Sequence, residues 1–382
     1  MIFDIIRISQ ISGRSNLMKS GPSLEVMFLS MMILACGESP AQEQDEPSGA
    51  DAAGPMLAPV LEIGLEMGDS CYVFGNVRDA CILRDGTILV LDSYDNTISA
   101  YDASGDFISV TGGTGEGPGE YLRPAAMIVL EDGRILISDV SNTRVTILEP
   151  DLTVSETISG FVPWSPERIS AASGASYTGA RRVFDRANSL YGHMVALWSD
   201  SPEPDLEYYR EMGDFNMERL RESTDARQVV FTSDYDGRVY LAPYSTTEYR
   251  IDVYDSTGVL LYTITEERES VDRPEEEIQR EIEEMREQLE REGAPEMAWN
   301  PVEQYYQIPL RGMEVDREGR LWVEDGRARV PRFSVYRHDE LLFETSLDST
   351  SMPVEGIAVK VSPYGILAWE VDPETYPRVF VF

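Results

Sequence analysis

DGTILVLD at residues 85–92 recurs 47 positions later as DGRILISD at residues 132–139. Each copy begins with Asp-Gly, a dipeptide that supplies the positive φ angles of a two-residue hairpin turn. An aliphatic run follows the turn, and a few residues later come an asparagine and a second alternating run. Alternating apolar runs on both sides of a tight turn are typical of β-strands. The two copies therefore predict a β-hairpin that is repeated along the chain.

Three weaker copies extend the repeat. They are DGRVYL at residues 236–241, EGRLWV at residues 318–323 and YGILAW at residues 364–369. Gly133 and Gly237 lie 104 residues apart, or two periods, so a sixth and degenerate unit is predicted around Tyr191 to Trp198. Six units of about four strands each favour a propeller over a sandwich. The predicted fold class is all-β, a six-bladed β-propeller.

The segment before the first unit is predicted to close the ring. The last unit reaches Phe382 after only three strands, whereas VLEIGLEM at residues 60–67 alternates without a hairpin partner. A strand from the amino-terminal side that completes the last blade would cover two open sheet edges. We therefore expect Leu61 to Glu66 to pair with the strand that ends at Phe382.

Two motifs resemble a known family. The loop GGTGEGPGEY at residues 112–121, between the first two units, resembles the GxGEGPGEF signature of NHL-type six-bladed propellers in bacterial lipoproteins. GRLWV at residues 319–323 is similar to a late-blade pattern of that family. The resemblance covers residues 60–382 and is weak between 160 and 225. It implies a fold and a cell-envelope location more than an activity.

The amino-terminal region is predicted to export and anchor the protein. VMFLSMMILA at residues 26–35 is too short an apolar run to cross a bilayer, but it fits the core of a signal peptide. Residues 33–37 (ILACG) resemble the bacterial lipobox, so Cys36 is the predicted lipidation site. A cleaved, soluble secretory peptide is the first alternative, and a buried core helix is the second. A lipobox would place the chain in a bacterial cell envelope, lipid-anchored in the periplasm or on the outer-membrane surface.

The predicted signal peptide and lipidation site divide the chain into three segments. The signal peptide is residues 1–36, with Met1 or Met18 as its start, and Lys19 would supply a basic region after Met18. An acidic tether rich in Pro and Gly follows, and composition of this kind is typical of a disordered linker. The predicted boundaries are 1–36 for the signal peptide, 37–58 for the tether and 59–382 for the propeller, with a helical insertion at about 272–293.

The inserted helix is predicted from a break in the β pattern. Asp272 and Pro274 begin it as a cap and first turn, and Gly293 ends it. One narrow apolar stripe runs through its Glu/Arg pairs. The stripe packs on the propeller rim in one interpretation, and belongs to a lid or a partner-docking helix in the other.

The net charge of the chain limits the partners that it can bind. The formal net charge is −36, from 68 acidic and 32 basic residues, and Lys19 and Lys360 are the only lysines. A nucleic acid needs a basic footprint, so we expect no nucleic-acid partner. An acidic, self-repelling surface suits a solvated, monomeric domain. No cofactor is identified from the sequence, and the acidic surface leaves Ca²⁺ or another divalent cation open.

The cysteines leave two alternatives. If Cys36 carries lipid, Cys71 and Cys81 remain as an even pair ten residues apart. In an oxidising compartment these two could form a disulfide. The alternative is two separate thiols, because Cys81 lies in an apolar strand.

Catalytic motifs are not found in the sequence. The two histidines, His193 and His338, have no motif around them, so neither a three-histidine zinc site nor an HExxH site is available. There is no G-x-S-x-G elbow. The glycines of residues 112–119 precede neither a Walker lysine nor a helix, which favours a structural turn over a phosphate cradle.

One set of charged residues is predicted to share the face that carries the loop at 112–121. Arginines precede the third strand of four units, and acids end the preceding strand in several units. The set consists of Arg144, Arg250, Arg332 and Arg378, with Asp92, Asp139, Asp325 and Glu370, and Glu120 in the loop. They form turn caps and inter-blade bridges in one interpretation. In the other, this top face and the central channel bind a ligand or partner.

Three function classes remain. The first is an envelope-anchored binding or scaffold protein with no identifiable catalytic centre, which binds an envelope protein, a glycan or another small ligand on the top face. The second is a metal-dependent propeller enzyme of the lactonase or lyase kind, which a cluster of inward-facing acids or histidines from three innermost strands would favour. The third is a structural spacer. Fold alone does not decide among them.

Overall fold

The computed structural model describes residues 54–382 with several gaps. The residues it leaves undescribed within that range are 215–228, 244, 246–247, 268–274, 277, 281, 284–285, 287–311, 326–329, 354–355, 372 and 374–375. The predicted signal peptide, Cys36 and most of the tether lie outside the described residues.

Across the described residues, the strands form six antiparallel sheets of four strands. Blade 1 consists of β2 (Val77–Ile82), β3 (Ile88–Asp92), β4 (Thr97–Tyr101) and β5 (Phe107–Gly112). Blade 2 consists of β6 (Pro124–Val129), β7 (Ile135–Asp139), β8 (Arg144–Leu148) and β9 (Val154–Ser159). Blade 3 consists of β10 (Arg168–Ala171), β11 (Tyr177–Asp185), β12 (Leu190–Trp198) and β13 (Leu206–Asp214). Blade 4 consists of β14 (Val230–Ser233), β15 (Val239–Ala242), β16 (Tyr249–Tyr254) and β17 (Leu260–Glu266).

The last two blades complete the ring. Blade 5 consists of β18 (Gly312–Val315), β19 (Leu321–Glu324), β20 (Arg332–Arg337) and β21 (Glu340–Ser346). Blade 6 consists of β22 (Ile357–Ser362), β23 (Gly365–Glu370), β24 (Val379–Val381) and β1 (Leu61–Ile63). The innermost strands of consecutive blades contact each other in chain order, and β22 contacts β2. The protein is a six-bladed β-propeller, as predicted.

The predicted ring closure is confirmed. β1 forms the outermost strand of blade 6 and pairs antiparallel with β24, with Leu61 opposite Val381 and Ile63 opposite Val379. The strand ends at Ile63 rather than at Glu66, because Gly64 has a φ of 141°. A β-carbon at Gly64 would lie 2.8 Å from the Pro377 carbonyl oxygen, so only glycine allows this close approach.

Alternate residues of each strand pack against opposite neighbours. In β3, Leu89 and Leu91 face blade 2, whereas Ile88 and Val90 face blade 6. Successive side chains of a strand point to opposite faces of the sheet, so each blade buries both faces against its neighbours. The core is therefore a series of apolar layers between blades, and no blade can bury its apolar surface alone.

Blade 3 explains why the repeat is hard to see between residues 140 and 235. Its first hairpin, around Gly174, has no Asp-Gly dipeptide, and β11, β12 and β13 are nine residues long. The predicted degenerate unit, Tyr191 to Trp198, lies within β12 of this blade. Longer strands and a different turn change the spacing that makes the other units recognisable.

Other predicted features are partly described. A 3-10 helix at Ser70–Tyr72 precedes blade 1. The described residues between 275 and 286 are helical, and both predicted ends of that helix, at 272 and 293, lie outside the described residues. Within the part of the chain that the structure describes, no helix combines the length and apolar character needed to cross a membrane.

Candidate functional site

A cavity of about 750 Å³ occupies the centre of the ring. It opens among the hairpin turns that join the first and second strands of the blades, with Arg84, Tyr235, Arg317 and Tyr364 among its lining residues. We call this side the turn face. The opposite side, which carries the turns between second and third strands and the connections between blades, is the connection face.

One residue of each innermost strand forms a layer around the channel. Each lies two positions before the residue that begins the first hairpin of its blade. The six are Cys81, Ile128, Ser170, Thr232, Glu314 and Lys360, and we call them the channel ring. All except Thr232 line the cavity. The ring changes from apolar in blades 1 and 2, through hydroxyls in blades 3 and 4, to the ionisable side chains of Glu314 and Lys360 in blades 5 and 6.

Lys360 joins three blades at the charged side of the ring. Its Nζ donates to Asp79 Oδ1 at 2.8 Å and to the carbonyl oxygen of Met127 at 2.6 Å. Burial alone would lower the pKa of the ammonium group, but Asp79, Cys81 and Glu314 together outweigh that effect and the pKa is raised. Lys360 is therefore charged at neutral pH, and its pairing with Asp79 ties blade 6 to blades 1 and 2.

Asp79 is held from several directions. Its Oδ2 accepts the amide of Met127 at 2.8 Å, and its Oδ1 accepts the amide of Ala80 at 2.8 Å in addition to Lys360. Its side chain is 10% exposed and that of Lys360 is 15% exposed. A buried carboxylate with this many donors is a structural group that holds Lys360 in place rather than a free ligand group.

Glu314 is a carboxyl group of a different character. Burial in the channel raises its pKa to about 8; Asp79 adds to the rise, whereas Lys360 and a hydrogen bond with Thr232 oppose it. The group is consequently protonated for the most part at neutral pH. It can donate a hydrogen bond into the cavity, as a carboxylate could not.

Tyr235 crosses the cavity from blade 4 to blade 2. Its hydroxyl donates to the carbonyl oxygen of Val129 at 3.0 Å. Burial and the neighbouring phenol of Tyr364, which hydrogen-bonds with it, raise its pKa. The phenol of Tyr235 is therefore a neutral polar group at the cavity.

Acidic and basic side chains balance each other in the cavity wall, although acids outnumber bases by 68 to 32 in the whole chain. The described lining residues include the acids Asp234, Asp236, Glu314, Asp316 and Glu318 and the bases Arg84, Arg238, Arg317, Arg337 and Lys360. The cavity is thus much less negative than the remainder of the molecule.

The rim acids are paired with arginines of their own turns. Arg238 bridges Asp234 at 3.2 Å and also pairs with Asp236. Arg320 bridges Asp316 at 2.6 Å and Glu318 at 3.0 Å. The acids and arginines of each turn neutralise each other, so they contribute little to the electrostatic potential in the cavity.

The residues predicted to form a binding face lie on the connection face, where many serve structural roles. Asp92 accepts the amides of Gly75 and Asn76, and Asp139 accepts those of Leu122 and Arg123. These bonds join each carboxylate to the connection that enters its blade. None of the nine residues of this predicted set lines the central cavity.

Arg144 holds the loop at residues 112–121. It lies 3.3 Å from Asp139 and donates to the carbonyl oxygens of Glu116, Gly117 and Glu120. Glu120 in turn accepts the amide of Gly117 at 2.8 Å. The loop with the family-like signature is therefore a structural connection between blades 1 and 2, and the forked guanidinium satisfies its carbonyl groups.

The other arginines of the set are spread around the connection face. Arg378 donates to both oxygens of Glu370 and reaches Glu62 of β1 at 3.4 Å. Arg250 bonds Asp252 of its own strand, and Arg332 is exposed. The structure thus brings Asp139, Arg144 and Glu120 together and keeps the remaining arginines on separate blades.

The cysteines and histidines are separate. Cys71, in the 3-10 helix, and Cys81, in the channel ring, are both free thiols rather than the disulfide considered from sequence. Burial raises the pKa of Cys81 to about 12, so its thiol is inert. His193 lies in blade 3 and His338 at the cavity rim. Within the described ranges, no group of three or more His, Cys, Asp or Glu is arranged to hold a metal ion.

Sequence reasoning missed the residues of the cavity. Glu314 and Lys360 interrupt apolar runs of their innermost strands, and Lys360 is one of only two lysines. Asp79, in β2, bonds Lys360 from outside the cavity lining. Aligning the units on the residue that begins each first hairpin would have shown that one position varies from cysteine to lysine around the ring. That alignment was the available signal.

Comparison with known proteins places the chain among propellers. Residues 55–187 match the family model DUF5128, described as a 6-bladed beta-propeller. No curated protein matches the chain. Among solved structures, a Bacteroides fragilis protein inferred to be exported is 14% identical, with 84% of this chain and 94% of that chain covered and a TM-score of 0.49.

Two further structures are similar at the same level. A member of the DUF4221 family from Bacteroides vulgatus is 10% identical over 86% of this chain and 97% of that chain, with a TM-score of 0.46. Virginiamycin B lyase from Staphylococcus aureus is 10% identical, with 84% of this chain and 98% of that chain covered and a TM-score of 0.42. These similarities are too distant to carry a functional argument.

Proposed function

We propose that this chain is a lipid-anchored binding protein of a bacterial cell envelope that receives a small ligand in its central cavity. The observation that carries the proposal is the cavity of about 750 Å³ with the channel ring in its wall. Cavities of roughly 300–1,000 Å³ that combine apolar walls with a few placed polar groups are typical of small-molecule sites.

The contacts around the cavity support binding there over binding on the connection face. Arg144, Asp92 and Asp139 already have their hydrogen bonds satisfied by backbone groups of the propeller. In the cavity, by contrast, Lys360 and Glu314 present polar groups to open space beside the apolar side chain of Ile128. Fixed groups that face a concave space are suited to recognise a ligand.

The predicted localisation supports a role in the cell envelope. The apolar run at residues 26–35, the lipobox-like cysteine and the acidic tether would place the propeller at a membrane surface with freedom to rotate. A glycan fragment, a peptide or another small envelope molecule would reach the cavity from solution. The metal-dependent enzyme is not proposed, because Asp79 is bonded to Lys360 and two amides rather than directed at a cation.

Blocking the cavity is expected to abolish binding. Ala171 lines the cavity and is half-buried, so Ala171→Trp would fill it. We expect ligands found by native mass spectrometry in a panel of amino acids, oligosaccharides, short peptides and organic acids to bind the wild type with 1:1 stoichiometry. Their affinity for Ala171→Trp should fall tenfold or more. Ala103→Trp, at an exposed turn on the same face, is the matched control. Equal binding to both variants would place the site elsewhere.

Lipidation of Cys36 is expected when the full chain is expressed in a bacterial host. Labelled palmitate should enter the wild-type protein, which should sediment with membranes. Cys36→Ser should lose both the label and the membrane association, because the thiol is the attachment atom. Cys71→Ser should retain both, since Cys71 lies in the folded domain. Label that persists in Cys36→Ser would refute the anchor.

A further inference from the structure

We propose that the cavity binds organic carboxylates that carry an apolar body. This inference rests on the proposed function, since it names the ligand class for the same cavity. It follows from the distribution of charged and apolar groups around the channel.

Cationic groups converge on one side of the cavity from three neighbouring blades. Arg84 comes from the first hairpin of blade 1, Arg317 from that of blade 5, and Lys360 from the innermost strand of blade 6 between them. Arg337, in the last hairpin of blade 5, lines the cavity as well. Blade 6 lies between blades 5 and 1 in the closed ring, so these charges face one region.

The rim arginines are not paired with any acid that the structure describes. Within the part of the chain that the structure describes, the side chains of Arg84, Arg317 and Arg337 form no ion pair. The acids of the same rim, by contrast, are bonded to Arg238 and Arg320. In a chain with a net charge of −36, three arginines at one cavity with no acidic partner among the described residues favour an anionic ligand.

The floor of the cavity offers hydrogen-bond donors. An ammonium group has three N–H donors, and Lys360 uses two of them on Asp79 and Met127. The third is available to a ligand. Glu314, with a pKa raised to about 8 by burial, is protonated for the most part at pH 7 and can donate to a carboxylate instead of repelling it.

The opposite wall is apolar. Ile128 and Val129 of blade 2 and Ile169 and Ala171 of blade 3 line it, and the hydroxyl of Ser170 lies among them. A hydrocarbon or aryl group placed there would leave water, at a gain of about 25 cal/mol for each Å² buried. A ligand with a carboxylate at one end and an apolar body at the other therefore matches the two sides.

Three probes of one shape test the charge preference. 4-Phenylbutyrate, 4-phenylbutan-1-ol and 4-phenylbutylamine differ chiefly in the terminal group, and their dissociation constants can be measured by titration calorimetry at pH 7. We expect the carboxylate to bind at least tenfold more tightly than the alcohol or the amine. Added salt should weaken binding of the carboxylate and leave that of the alcohol nearly unchanged, because salt screens exposed charges.

Charge reversal at the rim tests the residues. Arg84→Glu and Arg317→Glu should each weaken 4-phenylbutyrate at least tenfold while the alcohol keeps its affinity. Arg186→Glu, at an exposed turn of blade 3, makes the same change in net charge away from the cavity and should have no effect. Arg84→Gln removes the charge without introducing an acid, and circular dichroism would verify that every variant is folded.

The outcomes separate this inference from the proposed function. Equal affinities for the three probes, a preference for the amine, or no binding of any probe would overturn carboxylate recognition. In those cases, a neutral or cationic ligand that binds the wild type and is excluded by Ala171→Trp would still support the binding function. If no member of the wider panel bound at the cavity, both proposals would fail.

Discussion

Lys360→Met is expected to destabilise the protein by about 3–5 kcal/mol, the loss found when one member of a buried ion pair is removed. The substitution keeps the length and apolar stem of the side chain, so little packing is lost. It leaves the carboxylate of Asp79, whose side chain is 10% exposed, without its cation. The carbonyl oxygen of Met127 loses a donor at the same time.

The double variant separates the charge from the packing. Asp79→Asn combined with Lys360→Met should be more stable than Lys360→Met alone, because no buried carboxylate is then left unpaired. Urea unfolding followed by tryptophan fluorescence measures the free energy in each case. The control is Arg210→Met, which breaks the exposed pair with Glu207 and should cost about 1 kcal/mol or less. A Lys360→Met loss as small as the control, or strictly additive losses in the double variant, would contradict the pairing.

The fold could be predicted because its signal is local. Asp-Gly turns such as Asp85-Gly86 specify a hairpin within a few residues, and repetition of that hairpin indicates the propeller. Blade 3 gave little signal because its turn at Gly174 has a different sequence and its strands are longer. The closing strand was predicted by counting strands, and its early end at Ile63 depends on a close approach between backbones.

The cavity could not be predicted in the same way, because its wall is built from all six blades and the pair that fixes Lys360 joins residues 281 positions apart. Asp79 and Lys360 meet only when the ring closes. The arginines predicted to share one face, such as Arg144, form a regular series because each blade repeats the same turn. Regular repetition indicates a structural role, whereas the functional groups proposed here are those that differ from blade to blade.

Ile63→Ala is expected to cost about 2–5 kcal/mol, the range for truncating a buried isoleucine in a well-packed core. Ile63 is 2% exposed and packs with Tyr101 of blade 1 and with Leu367 and Val379 of blade 6. It thus lies at the seam where the last blade meets the first. Truncation would leave a cavity at the seam and weaken the hold of β1 on β24.

An isoleucine on another outermost strand provides the matched control. Ile108 of β5 is 53% exposed, and Ile108→Ala should change the free energy of unfolding by about 0.5 kcal/mol or less. Hydrogen exchange should show the same contrast: amides of Val379–Val381 lose protection in Ile63→Ala and keep it in Ile108→Ala. If the two variants unfold at the same urea concentration, β1 does not stabilise the ring. The propeller would then depend on packing between blades alone, and the amino-terminal strand would be dispensable for folding.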